Sequence, residues 1–455
     1  MVDIASENIA ADTAHQQTSE SAASQYESDF SPRKLRVALV ILLGQTFATS
    51  FLPYFAVPLA LLPITKEFGW SPKEYSVATT SSLMWLGALS GVCLGPLVDR
   101  FGVRPILVLG SIAVALVTMS ISLAHNFLSL FLSFGLVGFF GSTGMHYGKV
   151  TAALFNKNRG KALAILGAES AVAAAIAPQI DRYLIGTFGW RQSFVIEGLI
   201  ILAIVPLLYF VIEEPGTAGG SRNLFKHFKR TPSDAPANRE IAPQNLEGMT
   251  LKQSLTDKVF WLITLAGIIA LLPRGALFTY FSPLFAQHGF NGQAATANFL
   301  SLTTAAGAIG ALIAGFALDK VHDARLAIPF KLGALLSLIL LGIATAQFGG
   351  MLLLMFAGMV WGVADGSLRP FQGFFQIRFF GLKSYGSIMG ISAACMSIML
   401  GIAAPVVGFI QEKTHSYDTA IWLLTGLLVF GAAIYLFLGP YRYSAMIGAV
   451  RKDSA

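Results

Sequence analysis

Long apolar stretches alternate with short polar ones along most of this chain, from residue 34 onward. A bilayer core is crossed by about 20 apolar residues in α-helical form. The pattern therefore predicts an all-α membrane protein with twelve membrane-spanning helices. The predicted spans are 36–64, 75–98, 104–123, 128–152, 160–185, 192–213, 258–286, 293–318, 327–346, 350–376, 385–411 and 418–440.

Polar segments divide the chain into parts. Residues 1–33 are acidic and rich in Ala and Ser, and they have neither the basic start nor the apolar core of a signal peptide. We expect them to form a disordered cytosolic tail. Residues 214–257 are predicted to be a cytosolic linker between six-helix bundles at 34–213 and 258–441. Residues 442–455 are expected to form a second cytosolic tail.

The basic residues predict the orientation. If both termini are cytosolic, the inside segments hold 23 of the 31 Lys and Arg residues and the outside segments hold five. Cytosolic loops of membrane proteins carry such an excess of basic residues. The lack of an N-terminal targeting segment fits a multi-pass protein of the plasma membrane, which in a bacterium is the inner membrane.

The second half of the chain repeats features of the first half about 220 residues later. Pro53 corresponds to Pro273, and the segment 95–100 (Gly-Pro-Leu-Val-Asp-Arg) corresponds to the segment 315–320 (Gly-Phe-Ala-Leu-Asp-Lys). The register then slips by six or seven residues. Two pseudo-symmetric six-helix halves are therefore predicted, and such repeats place a substrate site at their interface, near the membrane midplane.

Composition narrows the function further. Hydrophobic residues make up 55% of the chain and charged residues 12%, whereas soluble domains have about 25% charged residues. This excludes a soluble enzyme and a disordered chain. Cys93 and Cys395 lie in apolar runs, the histidines lack metal-ligand spacing, and there is no phosphate-binding loop. We therefore predict no catalytic residue, metal or cofactor. The net charge of +7 is accounted for by cytosolic loops, so no nucleic-acid partner is expected.

The loop between predicted helices 2 and 3 carries a recognisable motif, with a degenerate copy between helices 8 and 9. A small residue allows close helix approach, and a carboxylate can face a helix N-terminus. The motif residues are Gly95, Asp99, Arg100, Gly102 and Arg104, and the copy retains Asp319 and Lys320. On these residues the chain resembles the major facilitator superfamily. The resemblance implies two six-helix bundles, a gate latch at this motif and a monomeric carrier.

A narrower resemblance rests on four further segments: 159–164 (Arg-Gly-Lys-Ala-Leu-Ala), 188–191 (Phe-Gly-Trp-Arg), 362–366 (Gly-Val-Ala-Asp-Gly) and 378–382 (Arg-Phe-Phe-Gly-Leu). These are similar to the monocarboxylate-porter and oxalate/formate-exchanger branch. Monocarboxylate transport, coupled by symport or exchange, is what this resemblance implies.

Ionisable residues inside the membrane are costly, so each is a functional hypothesis. Arg274 lies within predicted helix 7 between Pro273 and Gly275, and its counterpart in the first half is Tyr54. A guanidinium group suits a carboxylate ligand. We expect Arg274 and Tyr54 to bind an anionic substrate; the alternative for Arg274 is an internal salt bridge.

Predicted helix 10 carries Asp365, Arg369, Gln372 and Gln376 on one face. Asp365 and Arg369 could form a structural pair, or a switch that a proton on Asp365 or substrate on Arg369 would open, and the sequence does not decide between these. Arg369 and Gln372 are further substrate-binding candidates. The family resemblance implies that Gln45 also faces the substrate.

Three residues are candidates for proton coupling: Glu169, Asp365 and His146. A buried carboxyl group can hold a proton at neutral pH, and histidine changes charge near that pH. For the neighbouring Asp181 and Arg182 we expect a gate or a surface pair.

The favoured function is secondary active transport of a small organic anion by alternating access, with a proton as the coupling partner and the lipid bilayer as surroundings. The alternative is efflux of drugs or metabolites by proton antiport. The Gly-x-x-x-Gly-Pro-x-x-Gly-Gly pattern of drug antiporters is absent from predicted helix 5, which weighs against efflux. A third hypothesis is a receptor that signals through its tail and linker.

Overall fold

The computed structural model describes residues 32–49, 51–147, 150, 159–212, 248–321, 323–381, 383–438 and 441–443. Within these ranges it leaves out the side chains at 32–35, 91–92, 95–96, 99–100, 145–146, 159–174 and 319. The two predicted tails and the predicted linker lie largely outside the described residues.

Helices make up the regular structure of the described residues, and no strand longer than an isolated bridge occurs among them. The all-α prediction is confirmed. The helices are α1 Pro32–Phe47, α2 Phe51–Phe68, α3 Pro72–Ser76, α4 Ser82–Phe101, α5 Val103–Ile121, α6 Phe127–Gly141, α7 Arg159–Val211, α8 Leu251–Thr256, α9 Lys258–Leu277, α10 Phe281–Gln287, α11 Gly292–Lys320, α12 Ala327–Ile343, α13 Gly350–Gly366, α14 Leu368–Phe380, α15 Tyr385–Thr414 and α16 Asp418–Ile434.

Nine helical stretches among the described residues are long and apolar enough to cross a membrane. One of them lies in α7, which consists of two arms that meet at Gly189, where the backbone is not helical (φ 78°). Positive φ is a conformation that glycine adopts without steric cost. A multi-pass membrane protein follows from these stretches, while twelve spans and cytosolic termini stay predictions.

Two helices in corresponding positions of the halves are interrupted. The helix α1 ends at Phe47 and α2 begins at Phe51, and Pro53 lies in the first turn of α2, where a missing N–H costs nothing. In the second half a 3₁₀ turn, Phe278–Tyr280, follows Pro273 and separates α9 from α10. The two interruptions meet, since the ring of Tyr54 stacks on that of Phe278 with centroids 4.3 Å apart.

Glycine allows the same close helix contact in both halves. A Cβ atom on Gly138 of α6 would overlap the carbonyl oxygen of Leu83 of α4. A Cβ atom on Gly362 of α13 would overlap the carbonyl oxygen of Thr303 of α11 in the same way. Such small-residue contacts let helix backbones approach closely in membranes.

Hydrogen bonds join the two halves near one end of the bundle, which we call the outer end because the distribution of basic residues predicts that it faces outside. The Oγ1 atoms of Thr80 and Thr279 are 2.6 Å apart, and the Ser81 hydroxyl donates to the carbonyl of Gly401. Gln179 of α7 bonds to two residues of α11, with 3.0 Å to Asn298 Oδ1 and 3.2 Å to Ser301 Oγ. These bonds close the outer end.

An ion pair holds the first and last helices of the second half together at the opposite end. Asp257 accepts a hydrogen bond from the N–H of Val259, which starts α9, and it pairs with Arg442, which follows α16. Partial burial acts to raise the pKa of Asp257, but the bonds from Arg442 and Val259 outweigh it and leave this pKa below its ordinary value.

Replacing Gly362 by Ala is expected to destabilise the protein by about 1–3 kcal/mol, because the added methyl group forces α13 away from α11. Thermal melting in detergent would show this as a lower midpoint. Gly390→Ala in α15 is the matched control, since its Cβ would meet nothing within 4 Å. A Gly362→Ala protein that melts at or above the wild-type midpoint would contradict the close contact.

Candidate functional site

An ion pair lies at the centre of the second half. Arg274 of α9 donates through Nη1 to Oδ2 of Asp365 of α13 at 2.8 Å. The Arg274 side chain keeps 42% of its surface accessible and that of Asp365 17%. The pair is therefore partly open to solvent although it lies inside the helix bundle. Asp365 has its ion pair with Arg274 in this structure, and not with Arg369 one helical turn further on.

The first half reaches this pair through Tyr54. Its side chain interacts electrostatically with that of Arg274. The stacking of Tyr54 on Phe278 holds the phenol ring beside the guanidinium group. The two predicted substrate-binding residues, Arg274 and Tyr54, thus lie together, and they join the two halves.

Two more basic side chains interact with Asp365. Arg369 of α14 has an exposed side chain and interacts electrostatically with both Arg274 and Asp365. Lys331 of α12 is 3% exposed and also interacts with Asp365. Two guanidinium charges against one carboxylate leave the cluster with an excess of one positive charge, and protonated Lys331 raises the excess to two. Inside a membrane such an excess favours an anion.

Lys331 and Asp365 line one small cavity of about 10 Å³, which has room for about one water molecule. Pro273 and Trp361 form part of its wall. The Lys331 ammonium group lies 6.0 Å from the ring centroid of Tyr435, so an aromatic face partly offsets the cost of burying it. Lys331 and Arg274 thus approach the same carboxylate from different helices.

No described hydrogen bond joins the two remaining predicted substrate-binding residues, Gln372 and Gln45, or Gln376 of predicted helix 10, to this cluster. Gln372 of α14 donates to the sulfur of Met396 of α15 at 3.2 Å. Gln45 of α1 is half-buried, and no described contact joins its side chain to Arg274 or Asp365. Gln376 is buried, and neither polar atom of its side chain has a hydrogen-bond partner among the described residues.

The loop motif is described in part. Gly102 separates α4 from α5 with φ 89°, which explains why a glycine stands there. Arg104 is buried, bonds to the carbonyl of Tyr209 at the end of α7, and lies over the ring of the same residue. Lys320 ends α11 with an exposed side chain. The surroundings of Gly95 and the side chains of Asp99, Arg100 and Asp319 lie outside the description.

Of the three proton-coupling candidates, only Asp365 has a described side chain; those of Glu169 and His146 lie outside the description. Asp181 is fully buried and Arg182 is exposed, so these neighbours do not form the surface pair expected from the sequence. Asp181 instead interacts with Glu197 on the other arm of α7.

Sequence reasoning missed two buried charged residues. The orientation predicted from the sequence places Lys331 among the cytosolic basic residues, since it lies close to a predicted helix start. A single lysine one turn into an otherwise apolar helix was the available signal. Glu197 stands alone within an apolar stretch and carried a similar signal.

The neutral pair Arg274→Gln with Asp365→Asn is expected to be more stable than either single variant. Each single change leaves a charge without its partner, which we expect to cost about 1–2 kcal/mol at this partly exposed site. Thermal melting of the three variants gives the coupling between the residues. Additive losses would show that the pair contributes nothing, and Arg325→Gln at an exposed position is the control.

Comparison with known proteins identifies the family. Residues 39–404 match the Major Facilitator Superfamily. Human monocarboxylate transporter 11 is 27% identical over 402 residues, which are 84% of this chain and 78% of that protein. The 3-(3-hydroxy-phenyl)propionate transporter of Escherichia coli is 26% identical over 368 residues, or 78% of this chain and 82% of the relative.

A shorter match, 31% identical over 173 residues, is to the bicyclomycin resistance protein homolog of Haemophilus influenzae, and it covers 36% of this chain and 42% of that protein. The fold is similar to that of a bacterial homolog of the human lysosomal transporter Spinster in an inward-facing, occupied conformation. The TM-score is 0.69 at 16% identity, over 90% of this chain and 97% of the other. With its fold and its family match in agreement, this chain belongs to the major facilitator superfamily and is a membrane transporter, not an enzyme.

Proposed function

We propose that this transporter moves a small organic carboxylate across the plasma membrane, with a proton as the coupling ion. The excess of positive charge around Asp365 carries the proposal. A carboxylate substrate neutralises this excess, and a guanidinium group binds a carboxylate through two parallel hydrogen bonds. A lipophilic cation would meet repulsion at the same place.

The substrate binds by competing with Asp365 for Arg274. The part of Arg274 that stays accessible, 42% of its side chain, is available to an incoming carboxylate. Arg369 contributes a second charge from the exposed side of α14. The stacked rings of Tyr54 and Phe278 give an apolar or aromatic substrate body a surface to lie against.

Lys331 receives the carboxylate that the substrate displaces. When Asp365 leaves Arg274, its charge needs another cation close by, because an unpaired carboxylate inside the membrane is costly. Lys331 lines the cavity beside Asp365 and already interacts with it. Asp365 thus alternates between two cations, and substrate occupancy decides which of them it neutralises.

Alternating access follows from the two halves. Each half consists of six spans, twelve in all, with both termini in the cytosol, and the halves rock about the substrate as a monomer. The bonds of Thr80 to Thr279 and of Gln179 to α11 support a state closed at the outer end. The similar Spinster homolog was captured facing inward, which agrees with that state. Tyr54 couples the site to the motion because it touches Arg274 from the opposite half.

The relatives support a carboxylate substrate. One is named for monocarboxylates and another for a phenylpropionate, and both matches cover more than three quarters of this chain. Proton-driven efflux of drugs is the second candidate. The match to a bicyclomycin resistance protein homolog favours it, although that match covers only about a third of this chain.

Uptake by proteoliposomes tests the proposal. Competition by mono-, di- and aromatic carboxylates against a radiolabelled monocarboxylate is measured with and without an inward proton gradient. We expect inhibition by monocarboxylates in the wild type and a loss of uptake of at least about tenfold in Arg274→Gln, which corresponds to about 1.4 kcal/mol. Arg325→Gln should be unaffected.

Two outcomes would overturn the proposal that a carboxylate substrate binds at Arg274. Failure of every carboxylate in a wild-type protein that melts cooperatively would remove the anion proposal, and transport of lipophilic cations by the same vesicles would favour efflux. Uptake that is unchanged in Arg274→Gln would make that arginine structural and move the anion site to Arg369.

Lys331→Met is expected to weaken both binding and transport. Without Lys331 the displaced Asp365 has no second cation, so anion affinity and uptake rate should each fall by about tenfold. Binding is measured by substrate-induced thermal shift and rate by uptake. The control is Lys383→Met, an exposed lysine of the same half. Unchanged affinity would show that Lys331 does not receive the displaced carboxylate.

A further inference from the structure

Two acidic side chains are buried opposite each other in the first half. Asp181 and Glu197 lie on the two arms of α7, and neither side chain is exposed. Asp181 is eight residues before Gly189 and Glu197 is eight residues after it. At 1.5 Å per residue each lies about 12 Å from the turn, so the two face each other at the same depth. They interact electrostatically.

All four carboxyl oxygens of this acidic pair lack a hydrogen-bond partner among the described residues. Glu197 adjoins Gly198, which packs on Ala115 and Met119 of α5. Thr118, in the same stretch of α5, is fully buried and its hydroxyl also lacks a described partner. Three buried polar side chains at one level of the bundle thus lack the donors and acceptors that such groups need.

No described cation neutralises the acidic pair. On the arms of α7, Arg182 and Tyr183 are exposed, and Arg191 pairs with Glu67 of α2 at 2.7 Å. The charged residue of α5 is Arg104, which lies at the end of the bundle opposite the outer end. The basic residue of α11 is Lys320, which also lies at that opposite end. From α2, Lys66 is exposed and Tyr54 lies beside Arg274. The helix α1 brings Arg36, which is also exposed, and α6 carries no charged residue between Phe127 and Gly141.

Two adjacent carboxylates without a cation cannot both stay ionised in the membrane. A proton on one of them supplies the missing O–H donor, and the other carboxylate or the Thr118 hydroxyl supplies an acceptor. We propose that Asp181 and Glu197 form a proton-binding site, separate from the Arg274 cluster, which holds the proton that accompanies the anion. This inference rests on the proposed proton-coupled transport.

The position of the acidic pair connects proton binding to the opening of the outer end. Gln179 precedes Asp181 by two residues and therefore points to the opposite side of the helix. Its side chain makes the bonds to Asn298 and Ser301 that join the two halves. When these bonds break, this arm of α7 separates from α11, and water reaches the level of the acidic pair. The proton is then exchanged with the outside.

Covalent labelling tests the proton site without transport. A lipid-soluble carbodiimide adds the O–H of a protonated carboxyl group across its C=N bond, and the product rearranges to a stable acylurea. We expect mass spectrometry to find the adduct on Asp181 or Glu197 at neutral pH and less of it at alkaline pH. The double variant Asp181→Asn with Glu197→Gln should show no adduct there. An unlabelled pair in the wild type at neutral pH would overturn the site.

Proton-driven uptake tests the role of the acidic pair in coupling. With one proton per anion, a pH gradient of one unit supports a tenfold accumulation, because one pH unit corresponds to 1.36 kcal/mol. Asp181→Asn and Glu197→Gln should lose this tenfold accumulation and keep substrate exchange at equal pH, whereas the control Glu412→Gln should keep both. Accumulation that persists in both single variants would overturn the coupling role, while labelling would still report on the site. If the wild-type protein exchanges no substrate at equal pH, this result would instead contradict the proposed transport.

Discussion

The cost of placing charge inside a membrane governs this structure. Arg274 and Asp365 lie within the helix bundle of the second half, and each offsets the cost of the other across 2.8 Å. The pair stays stable only while α9 and α13 remain together, and it stays available to solvent only because Arg274 keeps 42% of its side chain accessible. Stability and accessibility are therefore set by the same contact.

The helices around the pair are arranged to keep it in place. The interruption after Pro273 ends α9 one turn beyond Arg274, and the stacking of Phe278 on Tyr54 brings the first half to the same point. On the other side, Gly362 lets α13 lie directly against α11. A side chain at position 362 would push α13 from α11 and shift the carboxylate of Asp365 relative to its cations.

The cluster around Asp365 and the pair of Asp181 and Glu197 reduce the cost of buried charge in different ways. In the second half, cations exceed carboxylates, so an anion completes the charge balance. In the first half, Asp181 and Glu197 have no described cation, so a proton is the simplest partner. In the proposed mechanism the cluster around Asp365 binds the anion and the acidic pair binds the proton, and Gln179, two residues from Asp181, links the acidic pair to α11.

The sequence by itself determined the class of protein and the main anion-binding candidates. Apolar stretches of about 20 residues can only be helices in a bilayer, because every backbone polar group must be bonded internally. The arginine between Pro273 and Gly275 was visible as a costly residue because a charged side chain is expensive to place in a bilayer. The family followed from the motif between α4 and α5, and the match over 39–404 agrees with it.

Only the tertiary structure decided which charges meet. Asp365 is four residues from Arg369, a spacing that allows a pair on one helix, yet its ion pair is with Arg274, 91 residues away. Lys331 and Glu197 each looked like isolated polar residues until packing placed them beside a carboxyl group. Sequence spacing reports neighbours along one helix, whereas charge compensation in a membrane depends on which helices lie against each other.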